Sequence, residues 1–386
     1  MLRVPIPERP DWRGQAAALG FNFHTIDGEP YWDERAYYRF TLRQIEDDIE
    51  GPTAELDAMC LEIVDRACRD EELLQLLKIP ETYWELVRGS WQAGEPSLYG
   101  RMDFAYDGHG PAKLYEYNAE TPTSIYESAF FQWVWLEQAR AFRRLPAGAD
   151  QYNSIQEKLI AAFATAQISS VLHFTSVEGH AEDRGTVLYL EDCARQAGLE
   201  TAYVPLEQIG VDAMGRFADL DDYVIDALFK LYPWEDMFRD PYGEHLTKAP
   251  LRWLEPPWKA ILSNKGLLPL LWRYFEGHPN LLPAYFEGDP RAAGLHGGFV
   301  RKPLFSREGA NVEWHGADGS TFQVDGPYGQ EGAIVQALHP LPRIGGNFTV
   351  VGTWVIGGVA AGIGIREDTT PITRDTSRFL PHAIIG

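Results

Sequence analysis

Only three of the 386 residues are cysteine, Cys60, Cys68 and Cys193, and none forms a CxxC pair. That excludes a disulfide framework and a thiolate metal knuckle. It leaves the thiols as small buried hydrophobes in a reducing compartment. Long hydrophobic runs are missing as well. No stretch reaches the length of a membrane span, and the opening MLRVPIPERPDWRG has no apolar signal core, so the expected location is the cytoplasm. Basic residues are scarce: 34 Lys and Arg stand against 56 Asp and Glu, a formal net charge of −22. Nucleic acid and anionic membrane surfaces are therefore disfavoured as main partners, whereas a cationic small molecule is compatible. There is no internal repeat and no low-complexity segment.

At 45% hydrophobic and 23% charged residues, the chain has an ordinary globular composition and the length for two or three domains. Residues up to about Trp32 read as an irregular arm with Pro and Gly. Period 3.6 character predicts helix over 34–49 and over 52–77, where Leu56, Met59, Cys60, Ile63, Val64 and Ala67 recur at helical spacing. Pro80 and Glu81 open another helix through Trp84 and Val87. Residues 124–141, dense in aromatics that read as core, and 151–166 are further helices. The middle changes style. Strands at 170–174, 201–205 and 227–231, with a helix over 183–197 that stops at Gly198, predict a parallel α/β unit. It lacks GxGxxG after its first strand, which disfavours a dinucleotide site. His173 and His180 read as a strand and a loop histidine rather than metal ligands.

Residues 100–124, GRMDFAYDGHGPAKLYEYNAETPTS, carry the densest chemistry. Two runs of alternating character, 101–106 and 113–118, flank turn formers over 107–112, a hairpin signal with a longer loop. With Tyr106 paired to Lys113, antiparallel register sets Phe104 opposite Tyr115 and Met102 opposite Tyr117 on an apolar face. The other face carries Asp103 opposite Glu116 and Arg101 opposite Asn118. Two carboxylates directly across a ladder repel. A hard cation removes the repulsion, and Asp, Glu and Asn oxygens on one face are what Mg²⁺ takes when phosphates complete its shell. The alternative is a solvated edge hairpin with incidental charges.

In the last third, residues 259–265 lead into a helix over 267–275. A strand over 298–304 carries Lys302 and runs into a flexible turn, 306–311, before a strand around Val312. A strand lysine beside a small-residue turn can set an ammonium and backbone N–H groups on phosphates, although the pattern is not the P-loop GxxxxGK(S/T). Residues 333–338 form an apolar strand. Residues 357–367 form a Gly-rich one whose small residues allow close backbone approach, with Arg366 a candidate clamp for phosphate charge.

Together, RMDFAYDGHGPAKLYEYNAETPTS, SNKGLLPLLW, VRKPLFSREGANV, IVQALHPLP and GIGIRED occur in the order seen in the synthetase part of the glutathionylspermidine synthase family, and the resemblance covers nearly the whole chain. It resembles a stand-alone form without the N-terminal thiol amidase of the two-domain relatives. The resemblance implies an α+β, ATP-grasp-like synthetase with a Rossmann-like α/β pre-ATP-grasp unit and a helical N-terminal part. The expected division is 1–95 mostly helical, 96–150 hairpin and helix, 151–258 α/β unit, 259–345 ATP-binding lid and 346–386 C-terminal strands returning to the catalytic sheet.

The activity implied is ligation of a carboxylate to an amine through an acyl phosphate, with ATP and two Mg²⁺ ions. Bifunctional relatives join glutathione to spermidine. Carried over residue by residue, the cation ligands are Asp103, Glu116 and Asn118, and Arg101 lies near the transferred phosphoryl. Lys265 and Lys302 reach nucleotide phosphates. Gly309 lies in the adjoining turn, and Gln336 and Leu338 lie in the hinge strand beside adenine. Arg366 stands over the reacting carboxyl, and Glu120, Thr121 and Thr123 meet the acid substrate. Pro122 between the threonines, and Glu308 within the small-residue turn, depart from the bifunctional pattern. A catalytically idle nucleotide-binding or scaffold protein of the same fold is the alternative, and the intact charged set argues against it because an unpaired desolvated charge is costly.

Overall fold

A computed structural model describes residues 1–26, 28–307, 309–373 and 377–386. Glu308 lies outside the described residues. At the centre is an antiparallel sheet in the order Arg378–Leu380, Val359–Asp368, Asn347–Ile356, Tyr99–Ala105, Lys113–Asn118, with Arg343–Ile344 also paired to Asn347–Ile356. Strand alternation divides its two faces. Met102 and Phe104 turn to one face and join Val351, Val355, Leu56 and Ile63 in the largest core, so the helix Gly51–Arg69 packs behind the hairpin. Tyr99, Arg101 and Asp103 turn to the other.

That second face is divided in turn. Tyr99, Trp354 and Ile356 are covered by a second core built with Leu159, Phe174, Leu190 and Phe229 of the α/β unit. This unit is a parallel sheet in the order Arg252–Leu254, Ala227–Leu231, Leu172–Ser176, Thr201–Tyr203, with the helix Ala181–Gln196 crossing between two strands. The helix stops at Gly198, whose φ of 89° a side chain would resist. Beyond Trp354 the face becomes polar and is roofed by a second antiparallel sheet, in the order Ala284–Phe286, Ala333–Ala337, Gly298–Pro303, Glu313–Gly316, Thr321–Gln323.

Several elements differ from the sequence expectation. The first 32 residues are not an irregular arm. Leu2–Pro5 is a strand beside Ala36–Phe40, which also pairs in parallel with His382–Ile384, and Trp12–Ala18 is a helix. Trp12, Phe21 and Trp32 bury themselves against Phe131 and Trp135, contacts that local sequence does not display. Helix was expected over 34–49, yet the aromatic run Ala36–Phe40 is a strand held on both edges. The helix begins only after Thr41, which caps it reciprocally with Gln44: Oγ1 accepts the Gln44 N–H at 3.3 Å and Oε1 accepts the Thr41 N–H at 3.0 Å. The expected helix over 52–77 is interrupted at Asp70, whose carboxylate accepts the Glu72 N–H at 3.0 Å and starts Glu71–Leu76 anew. The strand Arg252–Leu254 was not anticipated.

Candidate active site

The hairpin keeps the expected register over its chemical half: Arg101 faces Asn118, Met102 faces Tyr117 and Asp103 faces Glu116. Past Asp103 it slips by one, pairing Phe104 with Leu114 and Ala105 with Lys113. The expected Phe104–Tyr115 and Tyr106–Lys113 pairs are therefore replaced, and Tyr115 is the extra residue of a β-bulge. The bulge has a use. Released from the ladder, the Tyr115 carbonyl accepts a hydrogen bond from Lys302 Nζ at 2.9 Å, which ties the roof sheet to the hairpin.

The two opposed carboxylates are neutralised by basic side chains. Arg101 grips Asp103 in a fork, Nε to Oδ1 at 2.7 Å and Nη2 to Oδ2 at 3.0 Å, and Nη1 donates to the Thr123 carbonyl at 2.9 Å. Arg366, two strands away, reaches Asp103 Oδ2 at 2.8 Å. The intervening strand has Gly352 opposite Asp103, and a Cβ there would stand 2.9 Å from Arg101 Cδ and 3.1 Å from Asp103 Oδ1. Glycine is thus required for the arginine–aspartate pair to lie flat on the sheet. Asn118 Nδ2 bridges the carboxylates, 3.3 Å from Asp103 and 3.2 Å from Glu116. Lys265 Nζ lies 3.3 Å from Glu116 and donates to the Ser306 carbonyl at 2.6 Å. Lys302 also donates to Gln336 Oε1 at 2.8 Å.

Electrostatics follow from this crowding. Burial would raise the Glu116 pKa, but the Lys265 and Lys302 ammonium groups outweigh it and hold the carboxyl at about 2. Burial lowers Lys302 to about 8, with Glu116 opposing and Lys265 adding to the fall. Arg366 is lowered first by burial and then by Arg101. Four cations, Arg101, Arg366, Lys265 and Lys302, share this end of the cavity with two carboxylates. In a chain of net charge −22, that local surplus suits a polyanion.

A hard divalent cation fits the donor set. Among the described residues no group of three His, Cys, Asp or Glu side chains converges on a metal position. Such an ion would therefore take the oxygens of Asp103 and Glu116, and of Asn118 once its amide is turned, and leave the rest of its shell to phosphates.

These groups line one cavity of about 1050 Å³ between the central and roof sheets. Every expected site residue except Glu120 lies on its wall: Gly309, Gln336 and Leu338 under the roof, Thr121 and Thr123 at the hairpin exit. Glu120 faces away from it. Its Oε1 accepts from the Lys230 ammonium and, at 2.7 Å, from the Trp234 N–H, so it fastens the hairpin exit to the α/β unit. Burial raises its pKa.

The sequence reading missed Arg307, which reaches from the turn after Gly298–Pro303 to Thr121 Oγ1 at 2.7 Å and Glu235 at 2.8 Å. It also missed Tyr31 and Glu182, which line the same cavity. An arginine inside a Gly/Ser turn, and acids opening a helix after a parallel strand, were the available signals.

A family model described as glutathionylspermidine synthase preATP-grasp matches residues 3–385. A Haemophilus influenzae protein with the provisional name acid–amine ligase is 39% identical over all of both chains. Trypanothione synthetase of Crithidia fasciculata is 28% identical over 83% of this chain, and the bifunctional glutathionylspermidine synthetase/amidase of Escherichia coli is 26% identical over 96% of it. The matched regions span 52% and 62% of those two longer proteins. Among solved structures, a glutathione synthetase-like effector of Globodera pallida in apo form shares the fold, with a TM-score of 0.54 at 11% identity and 99% coverage of both chains. With the family match extending from the first strand to the last and a full-length relative at this identity, the chain belongs to the glutathionylspermidine synthase preATP-grasp family.

Proposed function

We propose that this protein is an ATP- and Mg²⁺-dependent carboxylate–amine ligase that joins a peptide-type acid, glutathione or a similar molecule, to an amine or polyamine through an acyl phosphate. The observation that carries the reading is the convergence of Arg101, Arg366, Lys265 and Lys302 around Asp103 and Glu116 in one cavity. Phosphoryl transfer needs positioning and charge neutralisation rather than a protein nucleophile. The fold reads as ATP-grasp-like, with 259–345 as the nucleotide lid over a Rossmann-like unit at 151–258, the hairpin at 96–150, the helical part at 1–95 and the closing strands at 346–386.

In this reading Lys265 and Lys302 hold the nucleotide phosphates, while Gln336 and Leu338 flank the base and the backbone at Gly309 closes over the phosphates. Asp103, Glu116 and Asn118 would hold Mg²⁺, which when bound offsets charge on the β- and γ-phosphates. Arg101 and Arg366 orient the substrate carboxylate for γ-phosphoryl transfer and then stabilise the oxyanion formed as the amine attacks. The Thr121 hydroxyl, engaged by Arg307, and the Thr123 hydroxyl, engaged by Glu182, define the acid-binding wall. Pro122 restricts the backbone between them. The test is ADP release by purified protein over a matrix of acids and amines. Release that requires Mg²⁺, an acid and an amine together supports the reading, and no acid-dependent release with any pair would refute it.

A further inference from the structure

The phenol of Tyr31 forms part of the cavity wall, with Ser124, Thr123 and Glu182. Its hydroxyl donates to Glu127 Oε1 at 2.8 Å and lies 3.4 Å from Ser124 Oγ. Tyr31 is 2% exposed and Glu127 1% exposed, so the carboxyl is sealed behind the ring and communicates with the cavity through the phenol. The backbone here is built in an uncommon way. Ser124 has a φ of 68°, and Glu127 opens a π-helical turn, Glu127–Phe131. Both features concentrate at functional sites. Arg101 Nη1 donates to the carbonyl of Thr123, the residue before Ser124, which places the phenol near the groups read above as holding the reacting carboxylate.

The proposed ligation has a proton problem that those arginines cannot solve. An alkyl amine arrives as an ammonium and must lose a proton before its lone pair can attack. We propose that the Tyr31 hydroxyl, backed by the Glu127 carboxylate, takes that proton. This rests on the ligase reading. As the ammonium passes a proton to the phenol oxygen, the phenol passes its own to Glu127 Oε1. The freed lone pair forms the C–N bond. The C–O bond to the phosphate then breaks with its electron pair, the departing phosphate accepts the second N–H proton, and Glu127 returns its proton to water between turnovers. Tyr31 is the catalytic residue in this scheme, and Glu127 acts through it.

The surroundings of Glu127 suit the task. Burial raises its pKa, Glu182 from the helix Ala181–Gln196 raises it further, and its own backbone N–H, the Tyr31 hydroxyl and Arg101 from the hairpin pull it down, leaving it at about 8. Such a carboxyl accepts and returns protons near neutrality.

The experiment compares two nucleophiles with ATP, Mg²⁺ and glutathione as the probe acid. Spermidine is an ammonium at pH 7, whereas hydroxylamine is already neutral and traps an acyl phosphate without general-base help. Tyr31→Phe and Glu127→Gln should each lower amide formation about 100-fold or more, while hydroxamate formation stays within about threefold of wild type. The wild-type amide rate should rise through an inflection near pH 8 that Glu127→Gln lacks. Equal loss of both products, or amide formation at the wild-type rate with the inflection retained, would overturn the assignment. Tyr31→Phe preserves ring packing and decides the matter if Glu127→Gln does not fold. Absence of hydroxamate from the wild type with glutathione and with every other acid of the ADP-release matrix would instead refute the ligase reading, and this inference with it.

Discussion

Glu116→Gln removes one oxygen anion and should disturb stability and ligand binding in opposite, separable ways. The carboxylate stands 3.3 Å from Lys265, with its side chain 31% exposed. Burial acts to raise its pKa, but Lys265 and Lys302 bring it from the ordinary carboxyl value of 4.5 down to about 2. The difference corresponds to about 3 kcal/mol of favourable interaction, reduced to about 2 kcal/mol by water screening of the exposed part. Because the folded-state value is depressed, this contribution is complete above about pH 4.5 and is lost as the pH falls toward 2. At pH 7 the urea unfolding midpoint of the variant should therefore fall below wild type by the equivalent of about 2 kcal/mol, and the gap should shrink at pH 3. A gap that does not change with pH would refute the electrostatic account. Binding should go the other way in the absence of metal. With no anion between Lys265 and Lys302, ADP should bind the variant at least as tightly as wild type in chelator, whereas Mg²⁺ should no longer improve it. Calorimetry with and without Mg²⁺ checks this, and an undiminished Mg²⁺ effect in the variant would remove Glu116 from the cation site.

Lys302→Met should weaken nucleotide binding about 30-fold, roughly 2 kcal/mol, or half the Coulomb energy of about 4 kcal/mol between unit charges ~4 Å apart at an effective dielectric near 20. Wild-type affinity should also decline above pH 8, as the ammonium held at about 8 by burial deprotonates, while that of the variant should not. Unchanged affinity by calorimetry would remove Lys302 from the phosphate site. Arg366→Ala should lower turnover about 100- to 1000-fold, because the charge it meets develops in the transition state. A steady-state assay in which only the ATP KM changes would contradict that role.

Much of the site was legible without coordinates because it rests on two local regularities. Period-2 alternation put Asp103 and Arg101 on one face of a strand and Met102 and Phe104 on the other. A turn-rich segment six residues long set Glu116 and Asn118 against them. The parallel unit was legible for the same reason: short apolar runs separated by a capped helix. Local pattern could not show the bulge at Tyr115, since a one-residue slip costs nothing in composition and is chosen by what the freed carbonyl can bind, here Lys302, 187 residues away. Nor could it show that Arg366 reaches Asp103 across a glycine at 352, or that Glu120 is spent on Lys230. The segment before Trp32 was misread because its aromatic residues are organised by burial against Phe131 and Trp135 and not by their own spacing. Side-chain type and periodicity, which are local, were determined by the sequence alone. Which charges neutralise one another, and which carboxyl faces the cavity, were decided by tertiary structure, because desolvation and Coulomb energy depend on distance in space and not along the chain.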